Sequence, residues 1–418
     1  MQNLLYPETS AKNNSEVSAQ TQGSCDFLLQ HGIVTKVLDF VDRLLAASTP
    51  AFPAWNVEHT LEGKEPGWNY IDGCMIKAVL DVFYATGEQK YFDFAKDYID
   101  FFLQEEDEIL GYRMEDYNCD NINMGKVLFD LYSSTKDNKY RQAIKLLMSQ
   151  LQNHPRIHAG NFWHKQIYPN QIWLDGLYMV QPFYMDYETI FNQKANYKDI
   201  FNQFKNVNEV MRDKNTGLLY HGYDETHQMF WSDKSTGLSQ NFWTRSIGWY
   251  SMALIDTMEK LDKHDIYEYE TLKGYLNKLL DALLNYADPE TKMYYQVTTE
   301  GGREGNYLET SGSCAIAYSL MKGARLGYIS ADYFESGKEI FDSVVEHKLI
   351  LTDDTFALKD ICLVAGLGGM PGKGSYQPRD GTYDYYISEP RVANDAKGVA
   401  PFLFAFTEVY RARSPSNP

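Results

Sequence analysis

The sequence of 418 residues has no long hydrophobic run. No stretch approaches the roughly 18–20 apolar residues that a membrane-spanning helix needs, so we expect no membrane partner. Residues 1–24 are polar, with neither a basic start nor an apolar core, and do not read as an intact signal peptide. We expect this segment to be disordered, residues 25–418 to form a single domain, and the protein to be cytoplasmic or periplasmic.

Cysteine is scarce and scattered along the chain. The cysteines are Cys25, Cys74, Cys119, Cys314 and Cys362. Their number is odd and no two of them form a CxxC pair, so the sequence supports neither a disulfide framework nor a zinc site. We therefore expect no metal ion and no cofactor.

Positive charge is also in short supply. Lys and Arg together number 39 against 57 Asp and Glu, which leaves a net charge of −18. Nucleic-acid binding depends on basic residues that neutralise phosphates, so this balance argues against a nucleic-acid partner. An anionic small substrate remains compatible with the charge, because a local basic pocket can lie in an acidic protein.

Aromatic residues, by contrast, are abundant, with 32 Tyr, 22 Phe and 7 Trp. A pocket that stacks sugar rings would use them, and so would a large ordinary core. Composition alone leaves both interpretations open.

The most informative feature is a degenerate repeat, in which a glycine opens an apolar, helix-like run. The glycines are Gly73, Gly125, Gly176, Gly248, Gly312 and Gly398. An amphipathic run follows each of the first five, and residues 26–47 supply the partner of the last. Such repeats are typical of stacked helical hairpins, with a buried inner helix and an amphipathic outer one.

We therefore predict an all-α fold, an (α/α)6 barrel of six helical hairpins. An open solenoid is the alternative. Closure is favoured because the terminal helices lack the polar faces that free caps need. Strand signals are few and confined to loops such as Leu218–Tyr223 and Met293–Val297.

In such a barrel all inner helices begin at the same end, so the polar residues before the six glycines should converge. They are Trp68, Asp72, Asp116, Asp120, Asn123, His164, Trp173, Asp175, His221, Asp224, Trp243, Arg245, Glu309, Thr310, Asp384, Tyr385, Asn394, Asp395 and Lys397, with Trp249 just after a glycine. Carboxylates can move protons, indoles can stack on a sugar, and an arginine can bind a carboxylate by a forked pair of hydrogen bonds. This composition suits an acid/base site for a sugar acid.

Ordinary structural roles compete with this interpretation. Asp, Thr and Asn before a helix are common N-caps, worth about 1 kcal/mol each, and capping is the favoured role for Asp72, Thr310 and Asn394. Asp175 could be such a cap or a catalytic carboxylate. His164 and His221 could be satisfied structural histidines. Arg245 lies between two tryptophans and could serve packing through a cation–π contact.

Five segments together resemble a known family. They are Trp173–Met179, His221–Asp224, Phe242–Tyr250, Glu309–Ser313 and Asn394–Val399. In this order they are similar to family 105 of the glycoside hydrolases, which comprises unsaturated rhamnogalacturonyl hydrolases and related unsaturated uronyl hydrolases. The related family 88 shares the barrel and the mechanism.

The resemblance implies an enzyme that removes a 4,5-unsaturated uronic acid, of the galacturonyl type, from the non-reducing end of lyase-generated oligosaccharides. It implies hydration of the double bond, with Asp175 as general acid and base. Asp120 matches the family's second aspartate and is expected to keep Asp175 protonated by like-charge repulsion, together with burial. Substrate-binding positions fall on His164, Trp173, His221, Arg245 and Trp249, to which Trp68 is added.

Some features depart from a minimal family member. The segment Asp360–Arg391 is long, and it is expected to shape the site for the sugar next to the uronate. The glycine-rich residues 366–374 within it are expected to form a flexible loop over the mouth. Rhamnose is the default leaving sugar, and the oligomeric state is expected to be a monomer or a weak homodimer. Two other functions stay open, a sugar epimerase or isomerase and a non-catalytic carbohydrate-binding barrel.

Overall fold

The computed structural model of the chain describes residues 32–103, 108–261, 266–368 and 378–413. The predicted disordered segment, residues 1–24, and most of the glycine-rich residues 366–374 lie outside these ranges.

Helices dominate the described residues. In chain order they are α1 (residues 32–46), α2 (Val57–Glu62), α3 (Tyr70–Thr86), α4 (Gln89–Phe102), α5 (Gly125–Thr135), α6 (Asn138–Asn153), α7 (Leu174–Ile190), α8 (Tyr197–Met211), α9 (Thr244–Lys260), α10 (Ile266–Leu283), α11 (Thr310–Arg325), α12 (Tyr333–His347), α13 (Tyr383–Ser388) and α14 (Ala396–Ala412). Short 3-10 turns cover Met114–Asp116, Cys119–Ile122 and Leu284–Tyr286. None of the helices in these ranges has the length and apolarity of a membrane span.

The glycine-opened runs form the inner ring, which is closed. Along the ring α3 contacts α5, then α7, α9, α11 and α14 follow, and α14 returns to α3. The inner helices are apolar nearly all round; α11, for example, is buried without a break from Thr310 to Gly323. The predicted (α/α)6 barrel is therefore confirmed, and the open solenoid is wrong.

The outer helices are α4, α6, α8, α10 and α12, each packed on the inner helix that precedes it, as α12 packs on α11. The first described helix, α1, completes the set as the partner of the last inner helix. The ring of Phe40 in α1 meets the ring of Phe402 in α14 edge-on, with 6.3 Å between their centres. It also lies 6.2 Å from the ring of Phe356. The chain thus closes on itself through its first and last helices.

The repeated glycines allow neighbouring inner helices to approach closely. A Cβ atom added at Gly312 would lie 2.6 Å from the Thr244 side chain, and one at Gly248 would lie 2.7 Å from that of Ala315. A Cβ at Gly73 would lie 2.7 Å from the backbone of Met124. The glycines at these positions are therefore required by packing between helices.

Strands are short and lie in the loops. They are β1 (Gln171–Trp173), β2 (Gly222–Asp224), β3 (Leu349–Leu351), β4 (Phe356–Leu358), β5 (Ile361–Cys362) and β6 (Arg391–Val392), paired antiparallel as β1–β2, β3–β4 and β5–β6. The predicted strand Leu218–Tyr223 overlaps β2. The other predicted segment, Met293–Val297, contributes only isolated bridges.

The two ends of the ring differ. The inner helices all begin at one end, which we call the mouth, and their later residues surround a cavity of about 290 Å³ at the other end. Ion pairs line this far cavity, among them Lys77 with Asp81 at 2.6 Å and Lys322 with Asp256 at 2.8 Å. All six helices of the ring reach the cavity, so they run in the same direction.

Candidate active site

The first group at the mouth is a carboxylate that faces an imidazole. Asp175 is the second residue of α7, and its Oδ2 lies 3.3 Å from Nε2 of His221. Strand pairing brings these distant residues together, because Trp173 pairs with Gly222 and the Leu174 N–H donates to the His221 carbonyl. The N-cap position of α7 belongs to Trp173, so capping does not explain Asp175.

Tyr386 extends this pair to a row of three. Its hydroxyl lies 2.7 Å from Nδ1 of His221, and both residues are fully buried. Burial, with the nearby charge of Asp175, raises the pKa of Tyr386 well above its ordinary value, so the phenol stays neutral. The Asp175 carboxylate can only accept a hydrogen bond, so the arrangement that satisfies both contacts places the N–H of His221 at Nε2 and leaves Nδ1 to accept from the phenol.

The protonation state of Asp175 differs from the expectation. Burial pushes its pKa up, but the hydrogen bond from His221 and the electrostatic interactions with His221 and His164 outweigh burial and lower the pKa of Asp175. Asp175 is therefore a carboxylate in the free protein. The prediction that Asp120 and burial keep it protonated is wrong for this state.

Asp120 is neutralised by a lysine that sequence reasoning missed. It lies in the 3-10 turn Cys119–Ile122, with Oδ2 2.6 Å from Nζ of Lys165 and Oδ1 3.7 Å from Nε2 of His164. Burial lowers the pKa of Lys165, but the charge of Asp120 and its hydrogen bond raise it on balance. With a cation this close, Asp120 repels a second carboxylate only weakly, which explains why Asp175 is not kept protonated.

His164 is held as a neutral ring. It stacks on Trp173 with 4.4 Å between ring centres, and burial lowers its pKa to about 4. Its Nδ1 is buried without a hydrogen-bond partner among the described residues. A Cβ at Gly176 would lie 3.1 Å from this nitrogen, so the glycine beside Asp175 makes room for the imidazole.

The predicted tryptophans offer no free face to a sugar. Trp173 is sandwiched between His164 and Tyr168, the latter at 4.9 Å, and Trp249 stacks on Tyr178 at 4.7 Å. Trp173 is 6% exposed and Trp249 is 1% exposed, so neither indole presents a face to a sugar in the free protein, and the expectation that they stack on the sugar ring is wrong for this state. They form the walls of the site instead.

Trp68 is likewise a wall residue. Its indole is 3% exposed, and its Nε1–H donates to the Asn121 carbonyl at 2.7 Å, next to Asp120. Tyr70 and Tyr168 are two aromatic side chains of this end that stay partly exposed.

Arg245 has a packing role in the free protein. It is the second residue of α9 and is 2% exposed, with its guanidinium 4.8 Å from the ring centre of Trp243. Its Nη1 donates to the Cys362 carbonyl and lies 3.4 Å from the Ser311 hydroxyl. Burial lowers the pKa of Arg245, but the electrostatic interactions with Cys362 and Glu309 outweigh burial and raise the pKa on balance, so the side chain stays a cation.

The predicted helix caps are one to three residues out of place. The residues that cap α3, α11 and α14 are Asn69, Glu309 and Asp395. Thr310 is the first residue of α11 itself, so it cannot be the cap. Asp72 instead accepts hydrogen bonds from Trp55 and Asn56, and Asn394 accepts one from the Leu358 N–H.

Some predicted members of the convergent set do not join it. Asp116 is 51% exposed and lies near Arg113, and the Asp384 side chain is also exposed. Asp224 is fully buried, but its oxygens accept hydrogen bonds from its own turn, including those from Thr226. The mouth therefore gathers Asp175, Asp120, His164, His221 and Arg245, walled by Trp68, Trp173 and Trp249.

Comparisons with known proteins agree with this architecture. The sequence profile of Glycosyl Hydrolase Family 88 matches residues 50–413. A solved glycoside hydrolase of family 105 from C. acetobutylicum ATCC 824 is 44% identical, with 83% of this chain and 94% of that chain covered and a TM-score of 0.78.

Two further relatives are more distant. The unsaturated rhamnogalacturonyl hydrolase YesR of Bacillus subtilis is 24% identical over 62% of this chain and 72% of its own length. The unsaturated glucuronyl hydrolase of Bacillus sp. GL1 is 15% identical, with 81% and 85% of the two chains covered and a TM-score of 0.59, and supports the fold alone.

Proposed function

Because the chain belongs to glycosyl hydrolase family 88 and its relative, family 105, we propose that it removes a 4,5-unsaturated uronic acid of the galacturonyl type. The substrate is an oligosaccharide left by a polysaccharide lyase, with the unsaturated residue at its non-reducing end. The observation that carries the proposal is the Asp175 carboxylate, which is 14% exposed at the mouth and lies 3.3 Å from His221.

The reaction is hydration of the double bond. Asp175, once protonated, gives its proton to carbon 4, and the positive charge at carbon 5 is shared by the ring oxygen. The Asp175 carboxylate then takes a proton from water as the water oxygen bonds to carbon 5. The resulting hemiketal opens and releases the neighbouring sugar, leaving a 4-deoxy-5-keto uronate.

Asp175 must gain its proton when the substrate binds, because its pKa is lowered in the free protein. The substrate supplies the reason, since it brings a carboxylate into a buried site. A second negative charge nearby and the exclusion of water both favour the protonated form of Asp175. This step replaces the role that Asp120 was expected to play.

The remaining residues of the mouth bind and orient the sugar. Asp120, paired with Lys165, presents a carboxylate oxygen to the sugar hydroxyls. His164 is neutral and can accept or donate one hydrogen bond, and His221 holds Asp175 in place. Arg245 supports the substrate carboxylate or its neighbouring hydroxyls from the floor of the site, where Trp173 and Trp249 exclude water.

Rhamnose is the leaving sugar that we propose, so the parent polysaccharide would be the rhamnogalacturonan of pectin. The likeness to YesR, an unsaturated rhamnogalacturonyl hydrolase, supports this choice over glycosaminoglycan fragments.

The test is a panel of lyase-treated polysaccharides, followed by the ultraviolet absorbance of the conjugated double bond. We expect the absorbance to fall fastest with digested rhamnogalacturonan and not to fall with Asp175→Asn. Asp116→Asn is the control, because Asp116 is an exposed carboxylate in the loop that carries Asp120 and should keep full activity. Full activity in Asp175→Asn would overturn the mechanism.

Two outcomes separate the alternative functions. Asp120→Asn should weaken the enzyme less than Asp175→Asn, and the reverse order would exchange the two roles. A product of unchanged mass would indicate an epimerase or isomerase. Binding of the whole panel without any loss of absorbance would indicate a carbohydrate-binding barrel.

A further inference from the structure

Arg379 is the cation of the mouth that the sequence did not single out. It lies in the long segment before α13, where the Gly368 N–H donates to its carbonyl at 2.8 Å. Its side chain is 15% exposed. Its Nη1 and the ring of Trp173 both border Gly366, since a Cβ there would lie 3.5 Å from the first and 3.3 Å from the second. The guanidinium therefore sits next to the wall of the candidate active site.

The buried carboxylate of Glu389 faces the Nε side of the Arg379 guanidinium. Nε of Arg379 lies 3.6 Å from Oε1 of Glu389, whose side chain is 1% exposed. The same Oε1 accepts a hydrogen bond from the Tyr385 hydroxyl at 2.8 Å, and that hydroxyl accepts one from the Gly366 N–H at 2.9 Å. Glu389 is thus fixed by Tyr385, which Gly366 holds in turn, and it faces Arg379 without a close hydrogen bond.

The donors of Arg379 are uncommitted, unlike those of its neighbours. Its Nε is buried without a hydrogen-bond partner, and its Nη groups make no hydrogen bond within the described ranges. The other cations of the mouth have close partners: Lys165 has Asp120, Lys397 has Glu58 and Asp395, and Arg245 has Cys362 and Ser311. Arg379 is therefore a cation of this end whose guanidinium has no close hydrogen-bond partner within the described ranges.

We propose that Arg379 is a specificity-determining residue that binds the carboxylate of the unsaturated uronate, which rests on the proposed function. A guanidinium offers two parallel N–H donors that match the two oxygens of a carboxylate. The uronate carboxylate is also the one negative group that every candidate substrate shares, whatever the leaving sugar. Arg245 then contacts the sugar from the floor of the site, and Arg379 makes the enzyme prefer substrates whose uronate carboxylate is free.

The experiment compares the unsaturated disaccharide that the panel identifies as substrate with the methyl ester of its unsaturated residue. We expect the wild type to prefer the free acid, and Arg379→Gln to lose about 10- to 100-fold in kcat/KM on the acid, mainly through KM. Its rate on the ester should change little, so the preference for the acid disappears. Arg303→Gln is the control, because Arg303 is a 50% exposed arginine paired with Glu300, and it should keep the wild-type preference.

Arg379→Lys is the second test variant, to be used if Arg379→Gln does not fold. It keeps the charge but loses the fork, so the preference for the acid should fall several-fold. A preference unchanged in either folded variant, or a wild type that treats acid and ester alike, would overturn the proposal. Activity of the wild type on the free acid reports separately on the proposed function, so failure of one does not imply failure of the other.

Discussion

Removal of the Tyr386 hydroxyl tests the row Asp175–His221–Tyr386 directly. In Tyr386→Phe the ring remains, but Nδ1 of His221 loses the hydroxyl that lies 2.7 Å away. Within the described part of the chain no other hydrogen bond to this nitrogen exists, and His221 is fully buried. A buried acceptor left without a donor costs about 1–3 kcal/mol.

The loss should fall on the reaction, because the phenol decides which ring nitrogen carries the proton. Without it, Nε2 can turn a lone pair toward Asp175 instead of an N–H. Asp175 then loses the hydrogen bond that lowers its pKa, so the pKa rises. We expect kcat/KM to fall about 10- to 100-fold, which corresponds to the cost above at 1.36 kcal/mol per tenfold, and the alkaline limb of its pH profile, on which Asp175 loses the proton that it donates, to move to higher pH.

The assay is the decay of the double-bond absorbance, measured across pH for Tyr386→Phe and Tyr383→Phe. Tyr383 is the matched control, since it lies on the same short helix and its hydroxyl donates to the Glu304 carbonyl at 2.9 Å and the Arg303 carbonyl at 3.3 Å. Its variant loses a hydroxyl without touching His221 and should keep the wild-type profile. If the two variants have the same pH profile and the same activity, the reasoning about the row is refuted.

Three further predictions follow from single features. The pKa values of buried His154 and His164 are lowered from 6.5 to about 4, so between these pH values the unfolded chain binds more protons than the folded one, and stability decreases as the pH decreases. Urea denaturation should show a loss of about 2 kcal/mol per histidine when the pH is lowered from 7 to 5. The variant His154→Gln should show a smaller loss. Gly312→Ala should destabilise by about 1–3 kcal/mol and lower activity, because its Cβ would lie 2.6 Å from a methyl carbon of α9, whereas Gly274→Ala meets nothing within 4 Å and should not destabilise. Binding of a saturated uronide should take up a proton at Asp175, visible as a buffer-dependent heat in calorimetry, and a heat independent of buffer would contradict the proposed protonation step.

The barrel was predictable from sequence because the same pattern, a glycine that opens an apolar helix, occurs six times along the chain. Each inner helix needs a small residue where its neighbour approaches, and Gly248 and Gly312 meet this need from both sides of one interface. The caps were harder, because a cap is defined by backbone geometry. Glu309 has the extended backbone and the reach to bond Ser311 and Gly312, whereas Thr310 is already helical.

The sequence repeat predicted that Asp120, Asp175 and His221 lie near one another at the mouth, but it did not predict the side chains that contact them from behind. Tyr386 and Arg379 lie outside the repeat, and nothing in their local sequence points to a partner 165 residues away such as His221. The faces of Trp173 could not be read from sequence either, since only packing shows that His164 and Tyr168 already cover them. The ionised state of Asp175 depends on the same distant contacts.

The common direction of the inner helices has an electrostatic consequence. A helix carries about half a positive charge at its N-terminus, and six N-termini meet at the mouth, which gives roughly three positive charges from the backbone alone. The chain as a whole is strongly acidic, at −18. An anionic oligosaccharide is therefore repelled by most of the surface and attracted at the mouth. Salt screens both the repulsion and the attraction, so we expect the salt concentration to change the association rate of the substrate more than its affinity.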